Sequence, residues 1–414
     1  MKVLLVNPNR FTTPPTPPIG LEYLAACLMD AGHGVRVLDL CFSEDARADM
    51  DRTVTSFMPD IAGVTVRNID SVLYYDNEFY LDAIGDVVQY LKSRHGLKVI
   101  IGGAGLPADP EGILGHLGAD HAVVGPAEGV INDLLTSISN REVTQKISWG
   151  HVQTSSPCVR NADGIDYKAY YKAGGIAGFE THRGCSSSCV YCIEANSPVA
   201  FKRTEDVVQE IRGFVESGYW HFHLCDPEFN EDLDHALEFC TALKKSDMGI
   251  QWAVYMKPAN YNHKLFRLMK DTGVYLITLT VDSFKKCALY WMDIEKIIFH
   301  ARSNGIRLAV DFLTGFPYED EDLLKWSLDF FRRLQPDRVN INTYIRLYRS
   351  LTIAKIIMED EGLKANLQGN TDDAAMIRPV FYNHIHSDRL RELIAGDRLF
   401  RIEGLEKGVN YTRA

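Results

Sequence analysis

Apolar positions along the chain occur in two rhythms. Residues 2–6 open with Lys2 and run Val-Leu-Leu-Val into Asn7-Pro8, whereas Leu21, Leu24, Ala25 and Leu28 recur at i, i+3, i+4 and i+7 before Gly32 and Gly34. The run predicts a strand covered on both faces and the spacing predicts a helix. The same strand pattern returns at 35–40, 61–66, 99–101 and 122–124. Helical spacing returns at Leu81-Ile84-Val87-Val88-Leu91, over 112–117 and after Glu128. Parallel strands need long crossovers, so this alternation predicts a doubly wound parallel sheet over residues 1–140.

Periodicity fades from 141 to 175, where Thr154-Ser155-Ser156-Pro157 and Asn161-Ala162-Asp163-Gly164 read as turns, so this stretch is expected to be a linker. A second alternation fills 176–345. Strands are expected near 177–181, 220–224, 251–255, 275–280, 307–313 and 338–343, with helical patterns such as Val207-Ile211-Phe214-Val215 and Ile294-Ile297-Ile298-Ala301 between them. Six units are too few for a closed eight-unit barrel of about 250 residues, so a partial (β/α)6 barrel is expected. Residues 346–414 lose the pattern and are read as a cap or substrate-shaping segment. The fold class is therefore α/β, a doubly wound sheet followed by a partial barrel.

With 414 residues, 46% of them apolar, the chain can fill more than one core. Its 44 basic against 55 acidic residues leave a net charge of −11, which argues against a nucleic-acid partner and for small-molecule or protein chemistry, with a small-molecule substrate expected. No apolar run approaches the roughly 20 residues of a membrane span, and Asn7 interrupts the opening run too early for a signal peptide. The expectation is a cytoplasmic protein that meets no membrane.

Ligands of doubly wound sheets lie outside the carboxyl ends of the strands. There the sequence places Pro17, Gly20 and their Pro-rich bend after strand one, Thr65, Arg67 and Asn68 at strand three, Gly102-Gly103-Ala104 after strand four, and Gly125 and Glu128 after strand five. Glycines allow backbone to approach a large flat ligand, although any one such loop is equally well an ordinary turn.

Three of the nine cysteines, Cys185, Cys189 and Cys192, crowd into the loop after the first barrel strand. Thiolates suit zinc or an iron-sulfur cluster. Zinc with His182 as fourth ligand fits less well, because structural zinc sites usually supply two spaced ligand pairs. Unrelated core cysteines fit least, because the Gly- and Ser-rich surroundings make this a loop.

Arg183-Gly184-Cys185-x3-Cys189-x2-Cys192, with Tyr191 before the last cysteine, resembles the cluster loop of the radical S-adenosylmethionine (SAM) superfamily. Pro17-Pro18-Ile19-Gly20-Leu21-Glu22-Tyr23-Leu24-Ala25, Gly32-His33-x-Val35, Arg67-Asn68-Ile69-Asp70 and Gly102-Gly103 are similar to the cobalamin-binding domain of its cobalamin-dependent class. The resemblance implies a 4Fe-4S cluster on Cys185, Cys189 and Cys192, SAM at the fourth iron, and cobalamin, as methylcobalamin, at the first domain's rim. It further implies an electron donor such as flavodoxin or ferredoxin, and methylation of a carbon or phosphorus in a small molecule. Rearrangement or ring formation without methyl transfer is the enzymatic alternative, and a corrinoid sensor with structural zinc the non-enzymatic one.

On the barrel rim, Tyr191, Asp226, Asp282, Ser283 and Asp311 are candidate SAM contacts, with helix capping as the plain alternative for Asp226 and Asp282. Tyr344 and Arg346 are candidate catalytic residues facing substrate. Two departures stand out. Leu224-Cys225-Asp226-Pro227 replaces the Gly-Gly-Glu run common at strand two, and Asn7-Pro8-Asn9-Arg10 stands where an Asp-x-His-x-x-Gly would provide a cobalt ligand. His33 is read as helix-end polarity.

Overall fold

A computed structural model describes residues 1–12, 14–142, 145–151, 160–385 and 387–405. The chain divides into two compact units, Met1–Ser71 with Glu78–Ile176, and Val72–Asn77 with the chain from Ala177 onward.

In the first unit, β1 (Lys2–Asn7), β2 (Gly34–Asp39), β3 (Ile61–Thr65), β4 (Lys98–Gly102), β5 (His121–Val124) and β6 (Ile147–Trp149) form one sheet in the order β2-β1-β3-β4-β5-β6. All neighbours are parallel. Val3 through Val6 are all buried, as expected of a strand whose two faces are both covered. The covering helices begin at clear stops. Asp45 accepts from the Arg47 and Ala48 amides to cap Ala46–Phe57, and Asp109 caps Pro110–Leu117.

The expected linker at 141–175 is corrected in two places. Residues 147–149 are β6, paired with β5, and residues 160–176 fold onto the first unit. Arg160 Nε lies 3.0 Å from Glu22 Oε2 with both side chains buried, and Tyr167 donates to Glu22 at 2.5 Å. A buried carboxylate needs such partners, and sequence distance does not limit where they come from. The Thr154-Ser155-Ser156-Pro157 tract lies outside the described residues.

In the second unit, β7 (Ala177–Phe179), β8 (His182–Arg183), β9 (Ala200–Phe201), β10 (His221–Leu224), β11 (Gln251–Met256), β12 (Val274–Asp282), β13 (Arg307–Leu313), β14 (Arg338–Asn342), β15 (Ile345–Leu347), β16 (Leu367–Gly369), β17 (Val380–Tyr382) and β18 (Phe400–Ile402) follow in chain order. The parallel barrel sheet runs β18-β14-β13-β12-β11-β10-β7. The six expected strands are therefore joined by β18, which comes from the segment read as a cap. The rest of that segment builds an antiparallel sheet, β15-β17-β16. A buried aromatic group of Phe179, Phe222, Phe239 and Trp252 anchors the β7–β11 side. Asp232, Asn262 and Asp320 cap the helices that follow.

Candidate cofactor sites

The three cysteines sit on a loop closed at its base by the β8–β9 pair, in which His182 faces Phe201 and Arg183 faces Ala200. Gly184 turns the chain there with φ +83°, and a Cβ at this position would collide with the Pro198 carbonyl. Glu180 holds the base together. Its carboxylate takes Arg183 Nε at 2.7 Å and Lys202 Nζ at 2.8 Å. Burial works against its charge, yet the two cations outweigh it and keep its pKa below the ordinary value. Within the loop, Cys185 N–H donates to Ser197 Oγ and Asn196 N–H to the Ser187 carbonyl, both at 2.9 Å.

Burial pushes the Cys192 thiol up to about 11, against a hydrogen bond from the Glu194 backbone that lowers it. Burial likewise raises Cys189, with Asp282 adding to it. Among the described residues no three His, Cys, Asp or Glu side chains are gathered around a single-ion site. Three thiolates on one loop supply one donor to each of three irons of a cube and leave the fourth iron open. The donor set fits a cluster. The His182 side chain is fully buried, with Nδ1 3.0 Å from Asp226.

Asp226 and Asp282 cap no helix. Asp226 accepts the Thr181 amide at 2.7 Å, the His182 amide at 3.3 Å and the Thr181 hydroxyl, all at the entry to the thiol loop. Asp282 accepts Tyr191 Oη–H at 2.7 Å, and its own amide donates to Tyr290. Burial raises the Asp282 pKa. Tyr191 also packs on Phe316, whose loop is pinned by Glu319 accepting the Gly315 and Phe316 amides. Ser283 is buried, and its amide donates to the Leu313 carbonyl. Asp311 lies lower on β13, where Asn340 donates to it at 2.9 Å and Tyr255 at 3.4 Å.

Of the two residues expected to be catalytic, only Tyr344 stands at the rim. Its ring stacks on Tyr74 with centroids 3.7 Å apart and planes 14° off parallel. Arg346 is corrected to a structural role. It is buried, donates to the Met376 and Ile377 carbonyls at 3.1 and 2.8 Å and to the Leu347 carbonyl, and lies over Tyr348. Three side chains at this rim escaped the sequence reading. Glu231 accepts the Ser186 amide at 3.2 Å, the Ser186 hydroxyl, and Lys257 Nζ at 2.6 Å. Glu228 has a buried carboxylate oxygen without a hydrogen-bond partner. Tyr74 comes from a segment the sequence assigns to the other domain. The acidic residues Glu228 and Glu231, clustered just past β10, were the available signal.

In the first unit the strand order reverses between β1 and β3, the usual ligand crevice. Arg67 and Asn68 are exposed there, Pro17 is buried, and Gly20 has open space where a Cβ would lie. Gly103, with φ +119°, lets the β4 loop close on Thr65 and Val66. Ala104 follows in that turn. Gly125, with φ +81°, faces Gly150 after β6, so this glycine also serves internal packing. The Glu128 carbonyl accepts Cys27 Sγ–H at 3.7 Å. His33 lies by the Met1 amino group, at the strands' amino ends and away from this rim.

Residues 12–135 match the B12 binding domain family and residues 179–331 the Radical SAM superfamily. The chain therefore joins a region that matches the B12 binding domain family to a region that matches the Radical SAM superfamily. It is similar to tryptophan 2-C-methyltransferase of Streptomyces laurentii, at 22% identity over 93% of this chain and 79% of that protein. It is also similar to cytidylyl-2-hydroxyethylphosphonate methyltransferase of Streptomyces wedmorensis, at 26% identity over 76% and 73%. Among solved structures, the radical SAM methyltransferase TsrM from Kitasatospora setae, with cobalamin and a 4Fe-4S cluster bound, shares the fold with a TM-score of 0.86. That match has 23% identity and covers 98% of this chain and 93% of that one. No helix among the described residues is long and apolar enough to cross a membrane.

Proposed function

We propose that the protein methylates an unactivated carbon, or a phosphorus, of a small molecule, using SAM, a cluster on Cys185, Cys189 and Cys192, and cobalamin at the β1/β3 rim. The carrying observation is the braced three-thiol loop at the mouth of a radical SAM barrel in a chain that begins with a B12-binding domain. When bound, the cluster supplies the electron that activates SAM, and the corrinoid carries the methyl group. The chain's own residues position. Arg67, Asn68 and Gly103 shape the corrinoid rim, Tyr191 with Asp282 and Ser283 the SAM side, and Tyr344 the substrate side.

Methyl transfer is favoured over ring formation because the similar proteins reported above carry methyltransferase names. A reduced flavodoxin or ferredoxin serves as electron donor, and the cytoplasm, where thiols stay reduced, is the compartment such a loop needs. The test is anaerobic reconstitution with iron, sulfide and hydroxocobalamin, followed by incubation with methyl-labelled SAM and a low-potential reductant. Iron, sulfide and corrinoid should each be retained, with label moving from SAM to the corrinoid fraction. Tryptophan and a 2-hydroxyethylphosphonate nucleotide are the first substrates to try, read by a mass gain of one methylene unit. Zinc without iron or sulfide, or label that never leaves SAM, refutes the reading.

A further inference from the structure

We propose that Asp226, Glu231 and Asp282 are positioning residues that fix the thiol loop in its cluster-binding conformation before any cluster is present. The inference rests on the reading of Cys185, Cys189 and Cys192 as the cluster ligands. Each carboxylate comes from the barrel rim; Asp226 grips the entry to the loop, and Glu231 and Asp282 each grip it beside a cysteine. Asp226 takes both amides of Thr181 and His182 at the loop's entry. Glu231 takes the amide and hydroxyl of Ser186, next to Cys185. Asp282 takes the hydroxyl of Tyr191, between Cys189 and Cys192.

These side chains are not needed there for solubility, since Asp226, Glu231 and Asp282 are all buried. Nor do they cap the next helix, a task that Asp232 performs after β10. A loop lacking regular structure would otherwise have to be ordered by the cluster, which would weaken binding by the entropy of ordering it. Carboxylates accepting amide and hydroxyl protons make charge-assisted hydrogen bonds, strong enough to prepay that ordering during folding. Lys257, 2.6 Å from Glu231, orients this carboxylate from the residue just after β11, so the grip joins the loops that follow β10 and β11.

The test uses the full chain, purified free of iron, in amide hydrogen exchange, and then reconstituted. In the iron-free wild type, the amides of Thr181, His182 and Ser186 should exchange slowly. Glu231→Ala should speed exchange at Ser186 by about tenfold or more, the loss expected for one charge-assisted bond. It should also lower iron uptake below half and broaden the reduced-cluster electron paramagnetic resonance signal, while the barrel helices keep their protection. Glu231→Gln retains an acceptor for the Ser186 amide and should restore most of both readouts. Asp226→Ala should act alike at Thr181 and His182. Fast exchange of these amides in the iron-free wild type overturns the proposal, as does Glu231→Ala loading iron and sulfide at wild-type level with an unchanged signal. Faster exchange throughout the barrel in Glu231→Ala also overturns it, by showing a general structural role. A wild type that binds no iron refutes the functional reading itself.

Discussion

Arg346 and Glu228 show how a side chain's partners, more than its type, decide its role. The Arg346 guanidinium is committed to backbone carbonyls of the β15–β17 region, where a lysine could satisfy one or two of them but not the whole fork. Arg346→Lys is expected to lower stability by about 2–3 kcal/mol, as for buried charge-assisted bonds. A thermal melt should register the loss, while the folded fraction takes up iron normally. Glu228 makes the opposite case. Burial pushes its pKa up to about 8, against the pull of Lys257 and with Glu231 and Asp282 adding to the rise. Between its ordinary carboxylate value and about 8 the folded chain holds a proton that the unfolded chain releases, so stability falls as pH rises through that window. Glu228→Gln should therefore match the wild type near pH 5, to within about a degree, and melt a few degrees higher near pH 8.5. A wild-type advantage at the higher pH would refute the assignment.

Strands and helices with a clear rhythm were legible in the sequence, and those that rely on distant partners were not. β1, β3 to β5 and β11 to β14 carry consecutive buried residues, which is what the pattern detects. β6 and β18 are three-residue strands at sheet edges, too short to show alternation, and each is defined by its neighbour's hydrogen bonds. The thiol loop was legible from its cysteines, but its braces were not, because Glu180, Asp226 and Glu231 are ordinary acidic residues until the barrel brings them to it. Glycines mark where loops meet. Gly103 holds φ +119°, and a Cβ there would lie 2.7 Å from the Val66 carbonyl and 2.9 Å from Thr65 Oγ1. Gly103→Ala should cost about 1–3 kcal/mol and spread the β3 and β4 loops. Titration with hydroxocobalamin should show weaker binding, with iron uptake by the barrel unchanged. Equal corrinoid affinity would separate this turn from the cofactor rim.

Across the whole molecule, the two candidate cofactor sites draw their residues from separate units, each with its own parallel sheet. The corrinoid rim uses loops after β1, β3 and β4, whereas every thiol belongs to the loop between β8 and β9. Loss of one ligand set should therefore leave the other intact. Cys189→Ala removes one of three thiolates from a loop whose base remains held by the β8–β9 pair and by Glu180 with Arg183 and Lys202. Because these supports do not pass through Cys189, the variant should fold, bind hydroxocobalamin with wild-type stoichiometry and fail to retain a full cluster on anaerobic reconstitution. Iron and sulfide analysis beside the corrinoid absorption spectrum measures both in one sample. Loss of corrinoid along with iron would show that the sites depend on each other for folding, whereas full iron retention would remove Cys189 from the ligand set and leave the loop without the three thiolates that a cube with one open iron requires.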